Sequence, residues 1–146
     1  MSSATIFIGS CGYGAPEPKS VGRVCFSLEE GTFSFLESTP TEGLNPGWVK
    51  VKQDSSVCYI GMEDQNGTAQ AFKISKNTEN AEGPAILTAV GSAVSTCGRD
   101  PCYIEVCGMF ALAANYSSGS VSVLPISQTD GSLGHATDSK AHTGGK

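Results

Sequence analysis

The sequence predicts an all-β fold assembled from many short antiparallel strands. Hydrophobic residues make up 39% and charged residues 16% of the 146 positions, which is the balance of a globular domain rather than of a disordered chain. The chain also contains 18 glycines and 7 prolines, with short apolar runs between them. Frequent turn residues indicate strands, because helices need longer uninterrupted segments, and no segment shows a sustained helical period.

The first predicted strand begins at an Asn-Pro or Asp-Pro dipeptide and occurs twice. Residues 45–51 (Asn-Pro-Gly-Trp-Val-Lys-Val) return roughly 55 residues later as residues 100–106 (Asp-Pro-Cys-Tyr-Ile-Glu-Val). Trp48 corresponds to Tyr103 in this alignment. Apolar and polar residues alternate with a period of two in both copies, as is typical of a strand whose two faces pack differently.

The second strand of each copy is almost wholly apolar. Residues 57–62 correspond to residues 110–115, and both segments are expected to be middle strands buried on both faces. A turn follows each of them, at Asn66-Gly67 and at Ser118-Gly119. Asn-Gly is a strong signal for a two-residue hairpin, and each turn is expected to open a third strand.

The third and fourth strands recur three times. Third strands are predicted at residues 22–28, 69–74 and 121–126, which align Phe26, Phe72 and Leu124 at one position and Leu28, Ile74 and Ile126 at another. Pro125 has no N–H to donate, so it is expected beside a bulge or an edge. Fourth strands are predicted at residues 32–37, 85–91 and, more weakly marked, 136–141.

Four short strands per unit, repeated at a spacing of roughly 50 residues, are the signature of propeller blades. The sequence therefore predicts a partial β-propeller of about two and a half four-stranded antiparallel blades. One incomplete domain is expected over residues 1–146, with part of a first blade at 1–41, a second at 42–98 and a third at 99–146. The alternative is an antiparallel sandwich in which the similarity is accidental.

Charge and terminal composition restrict the partners that we expect. The net charge is −5 and the nine Lys and Arg residues form no run, so a nucleic-acid partner is not expected. The first nine residues lack a basic region, and their apolar stretch is too short for a signal peptide or a membrane span. We therefore expect a cytoplasmic protein without a membrane partner.

The six cysteines are expected to be free, buried thiols in a reducing compartment. Cys97, Cys102 and Cys107 are evenly spaced, but the spacing matches no zinc pattern and no pair of histidines is near. No metal or other cofactor is expected. The glycine-rich segment at residues 9–14 precedes no helical pattern that would present a phosphate site, so a loop between strands is predicted there.

Several segments together resemble a known family. They are residues 114–125 (Ala-Asn-Tyr-Ser-Ser-Gly-Ser-Val-Ser-Val-Leu-Pro) and 130–134 (Asp-Gly-Ser-Leu-Gly), supported by 45–48 and 58–63. The chain resembles the seven-bladed lactonase family, which includes 6-phosphogluconolactonases of the bacterial propeller type and fungal carboxymuconate-cyclizing enzymes. The resemblance covers nearly the whole chain and is strongest after Gly98.

The sequence departs from the family pattern in two places and in length. Asp100-Pro101-Cys102-Tyr103 stands where the family usually has Gly-Pro-Cys-His, so no role of that histidine is transferred. Cys107-Gly108 replaces a longer turn, which is expected to tighten one hairpin. The family's rings have seven blades, so the chain is expected to be an N-terminal part. The family's following Arg-Gln and Pro-His-x-His stretch, and its later Arg and Glu residues, lie outside this sequence.

The resemblance implies hydrolysis of 6-phosphogluconolactone to 6-phosphogluconate in carbohydrate metabolism, or the cyclization of a carboxymuconate. The partner would be a small-molecule lactone if the ring is complete. Opening an ester needs an activated water or proton donor and a positive clamp for the anionic group. The chain lacks a convergent set of His, Arg and Glu, so we expect it to be inactive alone. The non-enzymatic alternative is a binding or assembly module that self-associates through open blade edges.

Asn115, Tyr116 and His142 are the candidate substrate-pocket residues, because propeller ligands bind where inner strands and loops between blades converge. Asn115 and Tyr116 are also explained as a pair that supports a turn, and His142 as an exposed residue of a glycine-rich tail. Trp48 and Tyr103 share one repeat position, which predicts packing between adjacent blades rather than ligand stacking. Catalytic residues are not assigned.

Overall fold

The computed structural model describes residues 3–10, 19–54, 56–76 and 85–144. Over these ranges the chain forms three antiparallel sheets and no helix. The first sheet contains β1 (Ser3–Ile8), β2 (Ser20–Ser27) and β3 (Thr32–Pro40). The second contains β4 (Pro46–Val51), β5 (Val57–Met62), β6 (Thr68–Ser75) and β7 (Ile86–Ser95). The third contains β8 (Pro101–Cys107), β9 (Phe110–Asn115), β10 (Ser120–Pro125) and β11 (Asp138–Ala141).

Each sheet is a meander in which every strand pairs with the next one along the chain. Short turns between consecutive antiparallel strands produce this order, because a hairpin needs only a few residues to reverse the chain. Consecutive meanders are the arrangement that the repeat predicts. The predicted fold class, an all-β partial propeller, is confirmed.

The register of the strand pairs confirms the equivalence of the third strands. Phe72 lies opposite Cys58 in the second sheet, and Leu124 lies opposite Ala111 in the third. In the first sheet Phe26 lies opposite Ala4 in the same way. β2 is therefore the third strand of its unit, and β1 is the second. Over the ranges described, the first sheet contains no strand that corresponds to β4 or β8.

Several strand ends differ from the predictions. β3 continues to Pro40 and β7 continues to Ser95, whereas β11 begins only at Asp138. β7 passes Gly91 because a register shift in its pairing with β6 accommodates that glycine, whose φ is 67°. Leu28 was aligned with strand residues, but it lies in the exposed turn between β2 and β3.

The turn after β5 has five residues, 63–67, and not the two predicted from Asn66-Gly67. Asp64 Oδ1 accepts the N–H groups of Asn66 and Gly67, each at 2.9 Å, so a side chain rather than a two-residue hairpin sets this turn. Gly67 has a φ of 50°, and a Cβ there would overlap the carbonyl oxygen of Gly98. The turn at 108–109 has two residues, which confirms the tightened hairpin.

Two hydrophobic clusters fill the spaces between the three sheets. Cys58, Ile60, Met62, Phe72 and Leu87 of the second sheet pack with Val21 of the first sheet. On the other side of the second sheet, Val57, Tyr59, Ala69 and Ala71 pack against Ile104, Ala111, Ala113, Leu124, Ile126 and Leu133. Burial of this apolar area is the main favourable term that holds the sheets together.

For each sheet we call the side toward the preceding sheet its back face and the side toward the following sheet its front face. The second sheet is covered on both, and all six residues of β5 are buried, as predicted. In β9, burial alternates along the strand, because among the described residues another sheet packs on the third sheet only at its back face. The prediction that β9 is buried on both faces was therefore wrong.

Arg23 is a buried cation between the first two sheets. Its guanidinium pairs with Glu37 of β3 and donates to the carbonyl oxygen of Ala85, just before β7. Burial lowers the pKa of Arg23, although arginine stays charged at all ordinary pH values. The two partners compensate for the desolvation of the charge, so the pair contributes to fixing the position of the first sheet against the second.

Candidate functional site

The three sequence candidates border one open depression of about 540 Å³ at an end of the third sheet. Asn115 is the last residue of β9, and Tyr116 begins the turn to β10. His142 directly follows β11, where its N–H donates to the carbonyl oxygen of Gly119 at 2.8 Å. The topology thus brings together residues that are 27 positions apart in the sequence, counted from Asn115 to His142.

Asn115 is a buried residue whose side chain lies on the back face of the third sheet. Its Nδ2 donates to the carbonyl oxygen of Thr96 at 3.3 Å and to the Oγ atoms of Ser120 and Ser122 at 3.2 Å. Thr96 belongs to the connection from β7 to β8, so the amide joins this connection to β9 and β10. Asn115 therefore acts as a structural cross-link in this arrangement, and its Oδ1 is buried without a hydrogen bond.

Tyr116 and His142 are exposed. The Tyr116 side chain is 78% accessible, and its backbone N–H donates to the carbonyl oxygen of Asp100 at 2.9 Å. His142 Nδ1 accepts the N–H of Gly144 at 3.0 Å. Productive catalytic geometry requires side chains that are fixed by packing and hydrogen bonds. Both side chains are exposed, so packing does not fix them in one arrangement.

The floor of the depression is an apolar sheet face. Ala114 and Val121 form part of it, and their counterparts by register in the second sheet are Gly61 and Ala69. Both counterparts are buried beneath the third sheet, and a Cβ on Gly61 would lie 2.9 Å from the carbonyl oxygen of Pro101. The depression therefore has the character of a surface against which another sheet packs.

The inner strands carry a polar cluster that the sequence reasoning missed. Lys50 Nζ lies 2.7 Å from Glu105 Oε1, and the Tyr103 hydroxyl donates to Glu105 Oε2 at 2.7 Å. Lys50 and Glu105 occupy the same repeat position on β4 and β8. The sequence contained a signal for this cluster, which is the opposite charge of Lys50 and Glu105 at one repeat position. Equivalent residues of neighbouring blades lie side by side, so such a pair is expected to be in contact.

Hydrogen bonds hold Glu105 in its ionised form. Donation from Lys50, from the Tyr103 hydroxyl and from the Val106 N–H lowers the pKa of Glu105 from 4.5 to about 2. The same contact with Glu105 raises the pKa values of Lys50 and Tyr103. A carboxylate with such a low pKa is a weak general base at neutral pH. The cluster consequently links the second and third sheets.

Trp48 and Tyr103, which share one repeat position, pack against each other across the second and third sheets. Their ring centroids are 4.6 Å apart, and Trp48 Nε1 donates to the carbonyl oxygen of Ile104 at 3.2 Å. The second and third sheets approach most closely at β4, β5 and β8, so these rings lie at the inner side of the blades. The predicted packing role between adjacent blades is confirmed.

Loops at the two ends of the sheets form two further cavities of about 450 Å³ each. One is bordered by Asn45, Glu63, Asp64 and Asp100, and its carboxylates disfavour an anionic ligand. Asn45 and Asp100 share a repeat position and have φ angles of 52° and 54°, a conformation that Asn and Asp tolerate better than most residues.

The other cavity, at the opposite sheet end, contains two lysines. Lys52 pairs with Asp54 at 3.0 Å, and Lys73 is exposed. Arg23 is occupied between the first two sheets, whereas Arg99 lies in the exposed connection between β7 and β8. The positive side chains therefore do not converge on one site among the residues with described positions.

The five cysteines in the described ranges have free thiols, but not all are buried. Cys58 is buried, which raises its pKa to about 12, whereas Cys97 and Cys107 are exposed and correct the expectation of burial. Cys11 and the rest of the predicted glycine-rich loop from residue 11 onward lie outside the described residues. The described parts contain no group of three or more potential metal ligands and no helix long and apolar enough to cross a membrane.

Comparisons with known proteins consistently indicate one family. Residues 5–146 match the family model described as lactonase, 7-bladed beta-propeller. Over 137 residues the chain is 33% identical to a 6-phosphogluconolactonase of Bacillus subtilis, an alignment that covers 85% of this chain and 37% of that protein. The chain thus spans little more than a third of the length of this relative.

Solved structures show the same relationship. A Bacteroides fragilis protein assigned as a 6-phosphogluconolactonase superposes with a TM-score of 0.81 at 28% identity, covering 98% of this chain and 37% of that one. A Bacteroides uniformis protein with the same assignment gives 0.79 at 28% identity, covering 97% and 38%. The periplasmic gluconolactonase PpgL of Pseudomonas aeruginosa shares the fold, with a TM-score of 0.81 at 23% identity over 97% and 39% of the two chains.

Proposed function

The chain belongs to the lactonase family of seven-bladed β-propellers, and from this membership we propose that the complete protein hydrolyses 6-phosphogluconolactone to 6-phosphogluconate. The observation that carries the proposal is the 33% identity over 137 residues to the Bacillus subtilis 6-phosphogluconolactonase. The matching arrangement of three consecutive sheets in related solved structures supports it.

The reaction adds water to the carbonyl carbon of the lactone and breaks the bond from that carbon to the ring oxygen. A base must take a proton from the water, donors must stabilise the oxyanion, and a proton must reach the leaving oxygen. The substrate phosphate also needs a positive clamp. In this proposal the three described sheets supply part of the ring wall, and the reacting groups come from elsewhere in the complete protein.

Asn115, Tyr116 and His142 remain our candidates for the pocket side of this segment. Asn115 would fix the turn after β9, because its amide ties that turn to the connection before β8. Tyr116 and His142 border the same depression and would offer polar groups to a ligand or to a neighbouring blade. We assign no catalytic role to any of the three.

We place the reaction in carbohydrate metabolism and in the cytoplasm. The free thiols of Cys58 and the other four described cysteines support this location, because reducing compartments keep thiols unpaired. The substrate would be a small molecule, and the net charge of −5 does not favour nucleic acid as a partner.

The first test is an assay of the purified 146-residue chain with 6-phosphogluconolactone, corrected for spontaneous hydrolysis. We expect no measurable acceleration, because the described residues do not bring an acid, a base and a cationic clamp together. Robust turnover by this chain would contradict the proposal that this segment forms part of the ring wall without supplying the reacting groups.

The second test is a chimera in which residues 1–146 replace the aligned segment of the Bacillus subtilis enzyme. We expect the chimera to hydrolyse 6-phosphogluconolactone and to leave a carboxymuconate unchanged. The parent enzyme is the positive control, and circular dichroism reports whether the chimera is folded. A folded chimera that is inactive on the phosphorylated lactone would overturn the proposal, and activity on the muconate alone would favour the cyclizing branch of the family.

A further inference from the structure

The turn after β5 contains an asparagine that is followed by a glycine. Asn66 is exposed, whereas Gly67 is buried. In such a dipeptide the backbone nitrogen of the glycine can attack the asparagine side chain, because glycine has no side chain of its own to hinder the approach. Asparagine is a thermolabile residue for this reason. The turn is therefore a candidate site of spontaneous modification.

The modification in question is deamidation. The Gly67 nitrogen forms a bond to Cγ of Asn66, the bond from Cγ to Nδ2 breaks, and the leaving ammonia carries away the proton of the glycine N–H. Water then opens the five-membered succinimide at one of its two carbonyl carbons. The product is either aspartate or isoaspartate, whose backbone runs through the former side chain and is one carbon longer. The reaction needs no reactant other than water.

Asp64 holds the N–H group that would have to react. The N–H of Gly67 donates to Asp64 Oδ1 at 2.9 Å and to the Asp64 carbonyl oxygen at 3.1 Å. The same Oδ1 accepts the N–H of Asn66 at 2.9 Å. For the attack, the Gly67 nitrogen must leave these acceptors and lose its proton. A hydrogen bond to a carboxylate is stronger than one to a neutral acceptor, so the folded turn opposes the reaction.

Neighbouring segments fix this turn on both sides. Asp64 Oδ2 accepts the N–H of Leu44, in the connection from β3 to β4, at 3.3 Å. The Asp64 carbonyl oxygen accepts the N–H of Asp100, in the connection from β7 to β8, at 3.0 Å. The Gly67 carbonyl oxygen accepts the N–H of Thr96 at 2.9 Å and its Oγ1 at 3.0 Å. Several contacts must consequently break before the turn can reach the geometry of attack.

We propose that Asn66 is a latent deamidation site and that Asp64 protects it in the folded protein. Local opening of the turn separates the Gly67 N–H from Asp64 and starts the reaction. This inference does not depend on the proposed lactonase activity, because it concerns only the turn and the segments that contact it.

Isoaspartate at residue 66 changes the contact between the second and third sheets. The additional backbone carbon displaces the Gly67 carbonyl oxygen from Thr96, which belongs to the connection between these sheets. The carbonyl oxygen of Thr96 in turn accepts hydrogen bonds from Asn115 and Ser122. A displacement of the turn therefore reaches β9 and β10 through Thr96.

The first test measures the rate of deamidation at neutral pH by peptide mass spectrometry of the purified 146-residue chain. Trypsin cleaves after Lys52 and Lys73, and Asn66 is the only asparagine between them. We expect Asn66 to react at least about tenfold more slowly in the folded chain than in urea, which removes the turn. Equal rates in the folded and the unfolded chain, or no reaction in urea, would overturn the proposal.

The second test changes the protecting residue. Asp64→Ala removes the side-chain acceptor and should raise the rate at Asn66 in the folded chain at least about threefold. Asp64→Ser retains a weaker acceptor for the turn, so its rate should lie between those of the wild type and Asp64→Ala. Circular dichroism reports whether each variant is folded. Where Asp64→Ala fails to fold, the comparison of folded Asp64→Ser with the wild type decides, and an unchanged rate contradicts the protecting role.

Asp130→Ala is the matched control for this series. Asp130 Oδ1 accepts the N–H of Ser132 at 3.0 Å in a turn of the same kind between β10 and β11. The control variant should leave the rate at Asn66 unchanged, because Asp130 does not contact the Asn66 turn. Equal acceleration by Asp130→Ala and Asp64→Ala would show that general loosening of the chain, and not the contact with Asp64, controls the reaction.

The third test concerns the consequence of the modification. Ion exchange separates the deamidated chain, and an isoaspartate-specific methyltransferase identifies the lengthened product. Asn66→Asp carries the same charge without the additional backbone carbon. We expect the isoaspartate form to unfold at a lower urea concentration than Asn66→Asp, and equal midpoints would contradict the link from the turn to the third sheet.

Discussion

Single residues decide how the blades are held in register. Asn115 is the clearest case, because one buried amide connects the segment before β8 with β9 and β10. Ser122 also donates to the carbonyl oxygen of Thr96, so two side chains satisfy one buried acceptor. Buried polar groups of this kind contribute little when paired but are costly when left without a partner.

Asn115→Ala should therefore lower the free energy of unfolding by about 2 kcal/mol, because it leaves the serine hydroxyls without their amide partner. Urea unfolding followed by circular dichroism measures the change. Ser117→Ala, in the exposed turn next to it, is the matched control and should change the stability by less than about 0.5 kcal/mol. Equal stability of Asn115→Ala and the wild type would show that the amide is not a structural link.

The contact between Lys50 and Glu105 makes stability depend on pH. The pKa of Glu105 falls from 4.5 to about 2 on folding, so its contribution is present above pH 4.5 and is lost as the pH falls toward about 2. Glu105→Gln removes that contribution. We expect the variant to be less stable than the wild type at pH 7 and the difference to vanish near pH 2.

Urea midpoints of both proteins at several pH values between 2 and 7 measure this dependence. Glu30→Gln is the control, since Glu30 is exposed in the turn between β2 and β3. A difference between wild type and Glu105→Gln that stays constant over the whole range would show that the carboxylate is not held by its hydrogen bonds in solution.

Strands with nearly the same sequence pattern differ in burial according to the sheets that flank them. β5 is buried along its whole length, whereas β9 is buried at alternate residues. β6 and β10 show the same contrast at one repeat position, where Ala69 is fully buried and Val121 is 44% exposed. The sequence pattern of a strand predicts which residues share a face. The neighbouring sheets determine whether that face is buried or exposed to solvent.

Ala69→Asp and Val121→Asp should consequently have opposite outcomes. A carboxylate at residue 69 would be buried without a partner, so we expect the chain to lose cooperative unfolding or to become insoluble. At residue 121 the charge reaches solvent, and we expect a folded protein with the wild-type circular dichroism spectrum at low concentration. Tolerance of both substitutions would contradict the packing of the third sheet on the second.

At the scale of the whole molecule, the described residues form three stacked sheets, and among these residues the front face of the third sheet and the back face of the first have no neighbouring sheet. The chain covers only 37–39% of each of three solved structures that share its fold, from Bacteroides fragilis, Bacteroides uniformis and Pseudomonas aeruginosa. A ring around a central ligand needs inner strands on all sides. The expected inactivity of the 146-residue chain has this physical origin, because a pocket at the centre of a ring is formed by all of its blades together.

The sequence by itself determined the strands, their order and their equivalence. Alternation and turn residues act over a few positions, so they located β4 to β6 and β8 to β10 nearly to the residue. The shared position of Trp48 and Tyr103 predicted a packing role between adjacent blades, since repeated residues usually serve the architecture of a repeat protein. The family followed from residues 114–125, where the match is most specific.

Only the tertiary structure decided which of these residues are buried and what they touch. In the structure, the side chain of Asn115 lies toward the second sheet, whereas Tyr116 and His142 are exposed. Lys50 pairs with Glu105, and the front face of β9 is partly exposed to solvent. The sequence could not settle these points, because burial depends on how many sheets stack against a strand. That number is a property of the assembly and not of any local run of residues.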